Sequence, residues 1–245
     1  MRPDELEQLC QQRRLKAIYL TLHHQFPSTT MMPPERRMQL LALADRYGFI
    51  IIEDDYDHEF HFARRPVFPL ASISTADNVI YISSLSKVLA PGLRLGYVFG
   101  PHDFIDRCAA EVMLIDRQGN AVTELAVADL MQSGELKRHI RRALRIYESR
   151  RNIIAEEVKA LMGESVSFDL PSGGLALWLK INLPLDMQRL QSDASRQGVK
   201  VLLGSFAADG QAIQALRLGY GSLEPEEIKL GIQRLARAME QQATR

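Results

Sequence analysis

The stretch "FIIIEDDYDHEF", residues 49–60, sets an unbroken apolar run against a burst of carboxylates. An apolar run without alternation is the pattern of a strand covered on both faces, as in a parallel sheet between helices. The neighbouring sequence supplies the partners. "AIYLTL" (17–22), "VIYIS" (79–83) and "LGYVFG" (95–100) read as further strands. "PPERRMQLLALADRYG" (33–48) reads as a crossover helix, with Pro34 in its first turn, Met38, Leu41 and Ala44 along its apolar stripe, and Gly48 closing it. Strands alternating with helices make this an α/β fold.

From about Pro101 to Met162 the pattern is helical, and "GELKRHIRRALRIYESRRNIIAEEVKALMG" (134–163) keeps apolar residues at three- and four-residue steps. Short strands are expected over 166–170, 174–181, 199–203 and 215–220, with helices near 185–197 and 224–242. The expected division is 1–150 as one domain and 151–245 as a second, smaller one.

Thirty basic residues balance thirty acidic ones, so no net field points to nucleic acid or a membrane surface. No apolar run is long enough for a membrane span, and the first residues lack a signal-peptide core. A cytoplasmic protein is the expectation. Cys10 and Cys108 are the only cysteines, which argues for free thiols rather than a disulfide framework. The histidines of "HEFH" (58–61) lack zincin spacing and a cysteine partner, so they read as structural or solvated, with no metal expected.

Ligands of open α/β sheets sit at the carboxyl ends of strands, which brings the Asp54 region and "SSLSKVLAPGLRLGY" (83–97) towards one crevice. Taken alone, the acidic run is as well explained by a solvated loop, and Lys87 by an ordinary surface lysine. The local chemistry favours more. Ser84 and Ser86 can donate to phosphate oxygens and Arg94 can clamp them. A lysine with cationic neighbours is more often the neutral amine that attacks an aldehyde. The combination points to a phosphorylated aldehyde.

These segments resemble the lysine region of fold-type I aminotransferases that use pyridoxal 5'-phosphate (PLP). "HHQFPSTTMMPPERRMQLLALADRYGFIIIEDDYDHEFHF" and "VIYISSLSKVLAPGLRLGY" are similar to the aminotransferase-like domain of MocR-type regulators, a subfamily of the GntR family. The resemblance runs from about residue 15 to the C-terminus. It implies an aspartate aminotransferase-like fold, with a partial large domain built on a mainly parallel sheet and a small C-terminal α/β domain.

The resemblance also implies roles. Lys87 matches the lysine that forms a Schiff base with the cofactor and shuttles the α-proton. Asp54 matches the partner of the pyridine nitrogen and Tyr56 the partner of the ring 3'-oxygen. Ser84, Ser86 and Arg94 match phosphate-binding positions. Arg217 matches the arginine that grips the substrate α-carboxylate. The implied reaction is amino-group transfer from an amino acid to a keto acid in a cytoplasmic homodimer. The alternative is a non-catalytic module that senses PLP or an effector for a transcriptional regulator, or an inactive remnant.

The sequence departs from the family in two places. "HQFPSTT" (24–30) puts Phe26 where common aminotransferases have the asparagine of Asn-Pro-Thr-Gly, so a contact to the ring 3'-oxygen is expected either to be missing or to come from Gln25 or His24. Nothing resembles a winged-helix domain, a linker or the first part of the large domain. In the family that part supplies a ring-stacking aromatic and a glycine-rich phosphate turn. An uncovered sheet edge and apolar surface are therefore expected.

Overall fold

The computed structural model describes residues 1–62, 67–73, 77–201, 207–208 and 211–243. The chain divides into two compact units, Met1–Phe26 with Thr30–Arg141 and Pro27–Thr29 with Arg142–Arg245.

The first unit opens with helix α1 (Pro3–Gln12), which the sequence reading did not expect, and strand β1 (Ala17–Leu20). Helix α2 (Pro34–Tyr47) ends where Gly48 adopts φ 67° and returns its N–H to Ala44. That left-handed residue costs little for glycine and stops the helix. Strands β2 (Ile50–Asp55) and β3 (Val79–Ser84) follow, then β4 (Gly96–Phe99). The sheet order is β1-β2-β3-β4, parallel except for the antiparallel edge strand β4. Helices α3 (His102–Asp116) and α4 (Ala121–Gln132) lead into the long α5 (Glu135–Met162).

Side chains alternate across β2, so Ile51, Glu53 and Asp55 are buried while Ile50, Ile52 and Asp54 are half-buried. The buried side packs Leu22, Leu40, Leu43, Ala44, Phe49 and Ile51 into one core. Each of the larger side chains contributes about 1.5–3 kcal/mol. Helix α2 therefore buries Leu40, Leu43 and Ala44, and Met38 is exposed, unlike the stripe read from the sequence. Arg37 shares the buried face because its guanidinium donates to three carbonyls, Met32 O (3.0 Å), Phe68 O (2.9 Å) and Leu22 O (3.2 Å).

The second unit centres on β6 (Ala176–Ile181), after the short β5 (Val166–Ser167). Helix α6 (Met187–Arg196) begins at Asp186, whose carboxylate accepts Gln188 N–H (2.9 Å) and Arg189 N–H (3.1 Å). A two-residue pairing of β7 (Ala207–Ala208) with β8 (Gln211–Ala212) precedes β9 (Ala215–Gly219) and helix α7 (Pro225–Ala243). Strand β6 pairs antiparallel with both β5 and β9. Leu177, Leu179, Leu190, Leu216, Ile232 and Leu235 form its core with α5 residues Ile154 and Val158. The strand expected over 199–203 does not form at 199–201, where Gln191 Nε2 instead holds Val201 O at 2.8 Å; 202–203 lie outside the described residues.

Candidate active site

Strand register puts Asp54 opposite Ile82, so Asp54 and Ser84, two residues further along β3, lie on one face at adjacent strand ends. Tyr19 reaches the same face from β1, opposite Ile52, and its O–H donates to Asp54 Oδ2. Asp54 Oδ1 meets no hydrogen-bond donor among the described residues. The Asp54 bond, then burial, raises Tyr19 to about 12.

The chain leaves β3 in a turn that carries Leu85 inward and Lys87 outward. Ser84 Oγ accepts the Ser86 backbone N–H at 3.1 Å. A hydroxyl that accepts from the backbone keeps its O–H for donation to something else. After the Pro91–Leu93 turn, Arg94 is exposed with φ 52°, in the left-handed region that costs a non-glycine residue about 1–2 kcal/mol. The side chains of Lys87 and Arg94 make no hydrogen bond or ion pair among the described residues. Gly96 then pairs with Ser84, and a Cβ there would meet Ser83 O at 2.8 Å. The ladder beneath the turn admits only glycine without shifting.

Tyr56 is half-buried and donates to His24 O at 3.1 Å. The two residues expected to replace the missing asparagine are engaged elsewhere. Gln25 Nε2 donates to Phe26 O at 3.2 Å, and the buried His24 ring pairs with Asp57 Oδ1 at 2.7 Å. Phe26 itself is exposed, its N–H bonded to Thr21 Oγ1 at 3.0 Å.

The opposite face of β2 holds a buried polar cluster that the sequence reading missed. Glu53 accepts Leu70 N–H (3.0 Å) and Ala71 N–H (3.3 Å), and burial raises its pKa in spite of them. Tyr81 O–H donates to Asp55 Oδ2 at 3.0 Å, and Ser83 O–H to Asp55 O at 2.8 Å. Burial would raise Asp55, but His23 and His58 hold it well below the usual carboxylate range. Burial, then the neighbouring imidazoles, pushes His61 down to about 3.

Six of the seven residues singled out from the sequence therefore lie in the first unit, at or just beyond the ends of β2 and β3. Arg217 belongs to the second. It sits on β9 opposite Trp178 and lines a cavity of about 120 Å³ with Lys200, Glu227 and Leu223 among its walls.

A donor set of this kind fits a phosphorylated pyridine aldehyde. Two unengaged cations and two serines flank one turn, and a carboxylate with an open oxygen stands one strand away on the same face.

Residues 4–239 match the family described as Aminotransferase class I and II. An uncharacterized HTH-type transcriptional regulator of Bacillus subtilis, YhdI, is 33% identical over 222 residues, 90% of this chain and 47% of that protein. Aromatic-amino-acid aminotransferase 1 of Thermococcus litoralis is 28% identical over 99% of this chain and 60% of its own length. Among solved structures, Pyrococcus horikoshii kynurenine aminotransferase in complex with PMP superposes with a TM-score of 0.90 at 28% identity, covering 98% of this chain and 61% of that one. The chain spans about half the length of the first curated relatives it matches.

Proposed function

The chain belongs to the class I and II aminotransferases, with the aspartate aminotransferase-like fold, and on that premise we propose that it binds PLP and supports amino-group transfer between an amino acid and a keto acid. The observation that carries this reading is the shared face of Asp54 and Ser84 at neighbouring parallel strand ends, with Lys87 on the turn that follows.

Lys87 would hold the cofactor through Nζ. Ser84, Ser86 and Arg94 would take the phosphate, Asp54 the pyridine nitrogen and Tyr56 the ring hydroxyl. Bound there, PLP supplies an electron sink for charge developing at the substrate α-carbon. Asp54 keeps the proton on the ring nitrogen, since a carboxylate nearby favours the charged form. Lys87 Nζ, exposed and without a hydrogen-bond or ion-pair partner among the described residues, would be released when the substrate amine takes its place on the cofactor, and would then carry the proton to and from the α-carbon. Tyr56 commits its O–H to His24 O, so towards a ring hydroxyl it offers its oxygen as acceptor or re-aims that bond. Arg217 is the proposed grip for the substrate carboxylate, a role suited to its planar fork.

The same proposal includes a cytoplasmic homodimer and the division 1–150 and 151–245. No helix among the described residues is long and apolar enough to cross a membrane. Helix α3 buries no residue, and Met113, Leu114 and Ile115, with Val122 and Leu125 of α4, are exposed. Apolar surface of that extent is what a second subunit covers. The identity with an HTH-type regulator supports a second reading, in which the same site senses PLP or an amino-acid effector without turnover.

Absorbance of the chain titrated with PLP, followed by borohydride trapping and peptide mapping, tests the binding. A visible band trapped on Lys87, and lost in Lys87→Ala, is the expected result; no band from folded chain overturns it. Keto-acid production then separates transfer from sensing.

A further inference from the structure

The buried face of β2 carries chemistry that the proposed cofactor site leaves unused. His23 lies just beyond β1, Asp55 ends β2, and His58 and His61 sit on the turn that follows. The three rings stand mostly edge-on to one another, with centroids 4.9 Å (His23–His58), 5.0 Å (His23–His61) and 5.6 Å (His58–His61) apart. One nitrogen of each lies within 4.8 Å of the other two.

The hydrogen bonding of these rings is incomplete. His23 Nε2 lies 2.9 Å from Val67 O, which can only accept, so that nitrogen carries the proton. His23 Nδ1 lies 2.8 Å from Asp55 Oδ2, and His58 Nδ1 is 3.2 Å from the same oxygen. Neither contact has the alignment of a hydrogen bond, and buried His61 Nε2 and Asp55 Oδ1 also have no partner among the described residues. A positive charge between these nitrogens and the carboxylate, a proton or a metal ion, satisfies both sides. Leaving several buried polar atoms unanswered disfavours the metal-free arrangement.

We propose that His23, His58 and His61 form a site for a divalent transition-metal ion of the zinc class, with Asp55 as the adjacent carboxylate. Three imidazoles and a carboxylate, without thiolate, suit zinc, nickel or copper rather than calcium or magnesium. Asp55 offsets the ion's charge in a site where His23 and Asp55 side chains are each 1% exposed. Zinc–nitrogen distances of about 2 Å require the rings to close inward. His58 and His61, half-buried on their turn, are placed to do so. The proposed site departs from the expectation of structural or solvated histidines at 58–61, because its third ligand comes from His23, 35 residues before His58.

The test needs no PLP, so it stands apart from the cofactor reading. Metal-stripped full chain is titrated with Zn²⁺ by calorimetry, and with Co²⁺ by visible absorption. One ion per chain is expected, with a tetrahedral Co²⁺ spectrum lacking thiolate charge transfer. His58→Ala and His61→Ala should each weaken binding by about tenfold or more. His102→Ala, on the exposed start of α3, should leave it unchanged. In the wild type, Zn²⁺ should also slow carbethoxylation of His58 and His61, mapped by mass spectrometry. Failure of the folded chain to bind Zn²⁺, unaltered affinity in folded His58 and His61 variants, or unaltered carbethoxylation with Zn²⁺ each overturns the site.

Discussion

Tyr19 donates its phenolic proton to Asp54 across the β1–β2 pair, so the carboxylate assigned to the ring nitrogen already has a neutral partner on one oxygen. The bond orients the carboxylate and leaves Oδ1 open. It also makes Tyr19 a reporter of Asp54.

Tyr19 ionises only near pH 12, because its proton is held by Asp54. A group whose pKa rises on folding gives its full stabilisation below the unfolded value of 10.0 and loses it as pH climbs through about 12. Asp54→Asn should bring the phenolate transition down towards the ordinary tyrosine value, read by ultraviolet titration. An unmoved transition would mean the pair does not form.

Arg37 should be among the costliest single truncations of the first unit. Arg37→Ala strands three carbonyls in the core, and Arg37→Lys offers a point donor in place of a planar fork. The alanine variant should lose about 3 kcal/mol or more in urea unfolding. The lysine variant should recover little of that loss.

Arg94 holds a left-handed backbone, and its side chain is the one proposed for the cofactor phosphate. Arg94→Gly should raise stability by about 1 kcal/mol by relieving the left-handed conformation. It should weaken PLP phosphate binding by roughly tenfold or more, the worth of a charge-assisted bond. Thermal unfolding and PLP titration of the same variant give the two readings. A change of the same sign in both refutes the division of roles.

Asp186→Ala removes the cap of α6 and should cost the second unit about 1 kcal/mol. Hydrogen exchange should show the loss in α6 amides and spare β1 to β4. Protection lost evenly in both would mean that the cap is not a local feature.

The strands were legible because parallel strands of this kind write themselves as apolar runs. Ile50–Asp55 and Val79–Ser84 take in those runs, though only one side of β2 is fully buried and the strand continues through three carboxylates. Lys87 and Arg94, paired by their spacing in the sequence, both fall exposed on the connection between β3 and β4. The inner face of α2 was misread because Arg37 looks polar in sequence, and only its three carbonyl acceptors explain its burial. The histidine cluster was invisible for another reason. His23 and His58 meet only after β1 and β2 pair, and linear spacing carries no sign of that.

Asp54 and Asp55 are consecutive residues serving opposite sides of one sheet. Substitutions can therefore alter either carboxylate separately, but loss or gain of a single codon within β2 would exchange their faces. Such a change would present Asp55 to the proposed cofactor and turn Asp54 towards the histidines. Replacement at either position thus probes one face alone, while a change in the length of this strand disturbs both faces together.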